Sequence, residues 1–393
     1  MALSLLFNSC MSQKAILNKN KDFWSIETVD NSGGDVGRYT ACRLNTLGVP
    51  QVAYARGLEM SIASRSQKNW EIQSTPLGVG AEGRAINMVL GLGGVVHLLY
   101  LSPNGLQYVK HSQGSWEVGL ITNRAKPDSV WDLAIARDGG AYFIFEDKAN
   151  KLVLFEEHSG FWKSEEVLKN NRSVQDEPAC VAFNPRADSR SFALGENKKG
   201  ETARLRVARD GNVDDVFEWK DGTRALALES PASAIQNERQ GKIAYCQLAW
   251  DNSGALHSVF LIQKNSRAKG DLIYGVFRNN RWEQDIIARD FAFKADFSPL
   301  ALTTDAEGLA HIAYYSTRDG LLEYRHKKKD KSWNVLPAIS LDSMNATPNL
   351  LVDREGQIWL FFRDESAGAL RAAQHLNLNS GGPGPGVQDP PSP

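Results

Sequence analysis

Cysteine is scarce. The 393 residues hold four, Cys10, Cys42, Cys180 and Cys246, at spacings that match no Cys-x-x-Cys metal or redox pattern. Cys42, Cys180 and Cys246 fall in strand-like apolar runs and read as buried thiols, with one disulfide left open among them. Net charge is nearly absent: 45 basic against 46 acidic residues leave −1. Without a basic surplus, neither nucleic acid nor an anionic membrane surface is expected as the main partner. Past the N-terminus, no run approaches the roughly 18 apolar residues of a membrane-spanning helix. Nor does any stretch sustain a 3.6-residue apolar period, which argues against a helical fold. Gly91 to Gly94 follows a strand-like run but opens no helix, so it forms no phosphate loop.

What the chain has is tryptophan, glycine and repetition. Apolar residues make up 42%, with 33 Gly and 10 Trp. Trp24, Trp70, Trp116 and Trp162 stand 46 residues apart, each opening a similar segment. The series continues less regularly at Val213, Trp282 and Trp333, with Val213 in place of a Trp. A turn of the form Asp-x-x-Gly keeps step at Asn45 to Gly48, Asp251 to Gly254, Asp305 to Gly308 and Asp353 to Gly356. Short β-rich runs follow it, such as Gln51 to Tyr54, His97 to Tyr100, His257 to Phe260 and His311 to Tyr314. A second turn and a third run lead to the next Trp. Each unit therefore holds four strands, and seven units predict an all-β, seven-bladed propeller with four antiparallel strands per blade.

The phase of the repeat predicts how the ring closes. Trp24 opens a fourth strand, whereas the last unit ends near Leu376 after three. Residues 23–29 should therefore complete the last blade and remove two exposed edges. Residues 1–22 read as a leader and linker, residues 23–376 as the propeller, and residues 377–393 as a disordered Gly/Pro-rich tail. The apolar N-terminus ending at Ser9-Cys10 fits the tail of a lipoprotein signal, which makes Cys10 a lipidation candidate and the envelope or exterior the expected location. One long connection, Lys220 to Lys242, separates the fourth and fifth units, and long loops of this kind often carry function.

The stretch Glu27-Thr-Val-Asp-Asn-Ser-Gly-Gly-Asp-Val-Gly-Arg-Tyr-Thr, with Pro50-Gln-Val-Ala-Tyr54 and Glu307-Gly-Leu-Ala-His-Ile-Ala-Tyr-Tyr315, resembles the repeat of prokaryotic sialidase-like, or BNR-like, propellers of the cell envelope. The resemblance spans residues 23–376. It implies the fold, and a range of activities that includes hydrolases, polysaccharide lyases and lectin-like modules. Two departures count against a sialidase. The turns Ser64 to Trp70 and His111 to Trp116 lack the Asp of an Asp-box, and the Arg-Ile-Pro motif is missing.

First strands of a propeller start, and second strands end, on the face where ligands usually bind. Arg38, Arg84, Asp128, Asp176, Glu177 and Asp296 occupy the first position. Arg56, Glu146, Asp147, Glu196, Arg318, Asp319, Arg363 and Asp364 occupy the second. Arg38, Arg84, Glu146, Arg318, Asp319, Arg363 and Asp364 are the ligand-binding candidates, since Arg forks suit the carboxylates of acidic sugars. No catalytic pair stands out, although two spaced carboxylates could hydrolyse a glycoside. His97, His257 and His311 share a column with Gln51, Phe143, Ser191 and Trp359, which suggests packing between blades rather than metal. A pair such as His311 with Tyr314 or Tyr315 would be the arrangement for proton abstraction by a lyase. The Trp residues read as wedges between blades in preference to sugar platforms. The sequence thus predicts a monomeric glycan-binding module without cofactor or metal, with a polysaccharide-acting enzyme and a protein-interaction scaffold as alternatives.

Overall fold

The computed structural model describes residues 23–33, 36–56, 59–66, 69–74, 86–126, 131–136, 139–158, 161–167, 177–184, 191–198, 202–209, 212–219, 225–226, 241–263, 269–294 and 297–376. The leader, Cys10, Arg84, Asp128, Asp176, Asp296, residues 220–224 and 227–240 of the long connection, and the tail all lie outside them. Seven antiparallel sheets form the described part, six of them following chain order from first to outer strand and the seventh taking its outer strand from Trp24–Asp30. Blade 1 spans residues 40–74, blade 2 86–122, blade 3 131–166, blade 4 177–226, blade 5 242–292 and blade 6 300–340. Blade 7 combines residues 349–375 with Trp24–Asp30, which pairs with Ala369–His375 in the register Trp24↔His375. Each first strand neighbours the first strands of the two adjacent blades, all the way round the ring. The predicted seven blades and N-terminal closure are thus what the chain forms. Blade 4 differs from the others. Its long connection begins with a fifth strand, Ala225–Leu226, paired with Glu218 and Trp219.

The repeat read from the sequence is a register in space. In blade 1, Gln51 pairs with Ser64, and Ser64 with Glu71, the residue after Trp70. The same steps run His97–Lys110–Glu117, His257–Val276–Glu283, His311–His326–Asn334 and Trp359–Gln374–Ser25. Blade 4 gives Ala193–Val207–Asp214, so Val213 does stand where other blades carry Trp. The register also corrects the histidine column, by one position in blade 3 and by two in blade 4: they contribute Tyr142 and Ala193, not Phe143 and Ser191. Neither mismatch was visible in the sequence, because blade 3 has a degenerate turn and blade 4 a longer one.

A propeller sheet buries both faces against its neighbours, so apolar side chains are needed on both. The buried apolar residues accordingly divide into seven clusters, one at each seam. The indoles complete them. Trp24 is buried and the other strand-opening Trp residues half-buried, each leaning on the preceding blade. Trp162 meets Tyr108 edge-on at 5.2 Å, Trp333 meets Tyr274 at 5.0 Å, and Trp70 meets Phe361 at 5.7 Å. The blade 4–blade 5 seam carries a covalent link as well. Cys180 and Cys246 form a disulfide with Cα atoms 5.8 Å apart, where free thiols were expected. Gly195 makes room for it: a Cβ there would lie 2.8 Å from the Cys180 sulfur and 3.1 Å from that of Cys246. Cys42 remains free and buried, and burial pushes its thiol up to about 12.

Candidate functional site

Among the described residues, three connections between blades are tied by backbone hydrogen bonds at the second-strand ends: Gly37 N to Ala55 O, Lys126 N to Glu146 O, and Thr317 N to Ala292 O. This connection face gathers the charges that the sequence assigned to second-strand ends. At the closure, the buried Asp30 accepts a hydrogen bond from the Tyr54 hydroxyl at 2.8 Å and pairs with Arg56 at 3.5 Å. Arg56 also donates to the Ser32 hydroxyl at 2.7 Å. Burial and the hydrogen bond to Asp30 raise the Tyr54 hydroxyl well above the usual tyrosine range.

Farther round, Lys126 reaches the buried Glu146 at 3.3 Å. The exposed Arg318 donates to Asp290 O at 3.2 Å, and Asp319 accepts from Ser316 at 2.7 Å. Arg363 is buried, donates to Val36 O at 3.1 Å and pairs with Glu365 at 2.8 Å. Asp364 pairs with Arg371 at 3.3 Å and caps the turn at Ser366 and Ala367. Arg38 is exposed, its guanidinium 5.9 Å from the Tyr39 ring centroid. Asp147 caps its own turn through the backbone of Ala149 and Lys151. Glu196 is fully buried within blade 4 beside Arg204 and Arg206.

The ring geometry therefore brings the described candidates to one face as separate small clusters rather than as one site. Asp30, Glu146, Asp319 and Asp364 each accept a hydrogen bond or an ion pair within their own cluster. Among the described residues, no group of three His, Cys, Asp or Glu side chains could hold a metal ion. Toward the channel, Asp132 of blade 3 receives Asn87 Nδ2 at 2.6 Å and the Phe183 backbone N–H at 2.8 Å, tying three first strands together. Burial raises its carboxyl above the ordinary range.

The histidine column lies toward the opposite end of the second strands, and each histidine has a defined partner set. His97 Nδ1 lies 2.6 Å from the Tyr108 hydroxyl, His257 Nδ1 2.8 Å from Tyr274, and His311 Nδ1 2.5 Å from Tyr324. The Asp-x-x-Gly turn supplies the other side: Asp251 reaches His257 Nε2 at 3.3 Å, and Asp305 reaches His311 Nε2 at 3.2 Å. Each Asp uses its second oxygen on two backbone N–H groups of its turn. In blade 2, Gly91 takes the Asp position, and a Cβ there would run into the His97 ring. In blades 5 and 6, Asp, His, Tyr and the next blade's Trp form tetrads at the seams. His311 is thus partnered by Tyr324, not by Tyr314 or Tyr315. The tyrosine was in view as the end of the third run; that His and Tyr bend toward the same seam was not.

No protein-family profile matches the chain, and no curated protein matches it by sequence. Solved structures share the fold. AofleA from Arthrobotrys oligospora is 15% identical over 81% of this chain and 90% of its own, with a TM-score of 0.50. The Swd1 β-propeller domain from Myceliophteria thermophila is 10% identical over 86% and 96%, with a TM-score of 0.53. The fucose-specific lectin of Aleuria aurantia is 10% identical over 78% and 96%, with a TM-score of 0.45.

Proposed function

We propose that this propeller is an extracytoplasmic binding module that holds a glycan on its connection face. One observation carries the reading: cations and carboxylates alternate around that face as small clusters, with Arg38, Arg56, Lys126 and Arg318 partly or largely open to solvent. Donors and acceptors side by side suit a polyhydroxylated ligand, and the exposed guanidinium forks suit one with a carboxylate, as in uronic or sialic acids. The engagement of each carboxylate in its own cluster favours binding over hydrolysis. The Cys180–Cys246 disulfide supports an oxidising compartment, and a lipid on Cys10 would hold the module at the envelope. Mass spectrometry of the mature N-terminus would show or exclude that lipid.

A panel of neutral and acidic polysaccharides, scored for binding and for released product, tests the reading. Retention of acidic glycans without product is expected, weakened about tenfold or more by Arg56→Ala with Arg318→Ala. Reducing ends or unsaturated uronides would instead identify a glycoside hydrolase or a lyase. A scaffold is favoured by a different observation. Val335, Ile26, Ile72 and Val118, at one register position in four consecutive blades, are 52%, 41%, 37% and 37% exposed on the outer strands. Failure to bind any glycan would make that rim the leading surface.

A further inference from the structure

Three of the chain's seven histidines converge on the seam where the ring closes. Trp24, the first residue of the closing strand, is buried with its indole N–H on Pro337 O at 2.8 Å. Its ring stands edge-on to Tyr324 at 5.8 Å and to His375, its register partner, at 5.4 Å. His311 holds Tyr324 from behind and stacks on His326, with centroids 5.6 Å apart and planes 21° from parallel. His326 in turn flanks Tyr324 at 5.9 Å, and its buried Nδ1 has no hydrogen-bond partner among the described residues.

Among the described residues, few charges act on His326 at the centre of this cluster. Blade 6 contributes Asp305, already bonded to His311, and Lys328 on the following hairpin. Blade 7 contributes His375. Glu27 of the closing strand turns to the other seam, where it pairs with Arg65. A single committed carboxylate thus faces three imidazoles and an ammonium.

We propose that the closing strand is an acid-sensitive latch: protonation at His326 and His375 puts unpaired charge around the Trp24 indole and frees Trp24–Asp30 before the rest of the ring. Burial of such charge is costly, and histidine is the side chain that acquires it in mildly acidic surroundings. Burial holds His326 down at about 4 against an ordinary 6.5, and holds His375 low as well. Protonation then favours the open strand as the pH falls below 6.5, and the preference stops growing near 4. For His326 alone, the opening constant rises about twentyfold between pH 7 and pH 5.

Hydrogen–deuterium exchange of the full chain, corrected for the intrinsic exchange rate at each pH, reads this strand by strand. Protection of Trp24–Asp30 should fall at least about twentyfold from pH 7 to pH 5, while Lys242–Trp250, at the disulfide-linked seam, keeps its protection. Equal losses in both strands, or none in the first, would overturn the latch. His326→Gln should remove most of the acid response. A cross-strand disulfide from Ser25→Cys with Gln374→Cys, register partners, should abolish it even if His326→Gln fails to fold. An acid response of Trp24–Asp30 undiminished by that disulfide counts against the proposal.

Discussion

At the scale of single residues, the chain places polar side chains inside seams and satisfies them locally. Asp251, His257 and Tyr274 complete one another, so removing one member leaves another buried and unpaired. Tyr274→Phe should cost about 1–3 kcal/mol in denaturant unfolding, because His257 Nδ1 loses its partner while the ring volume is kept. His97 gives a pH dependence with a definite sign. Burial pushes it down to about 4 from 6.5, so the unfolded chain takes up a proton before the folded one does. Its stabilisation is complete above about pH 6.5 and drains away as the pH falls toward 4. Thermal melts across that window should show the loss, and His97→Gln should flatten the profile. The sequence made the histidine column and the Trp spacing legible because both follow the repeat. The tetrads were not legible, since they join side chains of a turn and two strands in one blade to an indole of the next.

At the scale of strands and turns, most of the architecture was readable. Turn chemistry, the 46-residue period and the phase at Trp24 sufficed for blade number and closure. Where landmarks had decayed, the register slipped by one residue at the turn of blade 3 and by two at that of blade 4. A disulfide was left open by the sequence, but its pairing was not legible, for a related reason. Cys180 and Cys246 lie in different repeats, and only the ring geometry makes their first strands neighbours. With 66 residues between the linked positions, chain-entropy arithmetic gives the bond about 4 kcal/mol of stabilisation. Cys180→Ser with Cys246→Ser, or reduction of the native protein, should lower the unfolding free energy by about that amount. A change below about 1 kcal/mol would mean that the seam is held by Leu205, Phe260 and their apolar neighbours alone.

At the scale of the molecule, stability belongs to a closed ring of seams. Removing residues 1–30 would leave the outer side of blade 7 and the Trp70 side of the neighbouring seam uncovered. Such a chain should form oligomers whose size grows with concentration in light scattering, as unpaired strand edges do; a well-behaved monomer would show that the ring tolerates an open blade. That the charges at second-strand ends would share one face was readable from topology. The division of those charges into separate clusters was not, because it depends on loop residues meeting second-strand ends, as Ser32 meets Arg56 and Lys126 meets Glu146.

The closure also fixes how the ring responds to tension. Phe23 O and Leu376 N are 2.8 Å apart, so the two flanking segments leave the ring at one spot, at the same end of an antiparallel pair. A pull between them loads the Trp24–His375 pair first, then Ser25–Gln374, one rung after another like a zipper. Strands pulled lengthwise share a load among all their hydrogen bonds; this pair cannot. A single-molecule stretching trace should begin with a low-force event releasing the seven residues of Trp24–Asp30, ahead of any blade.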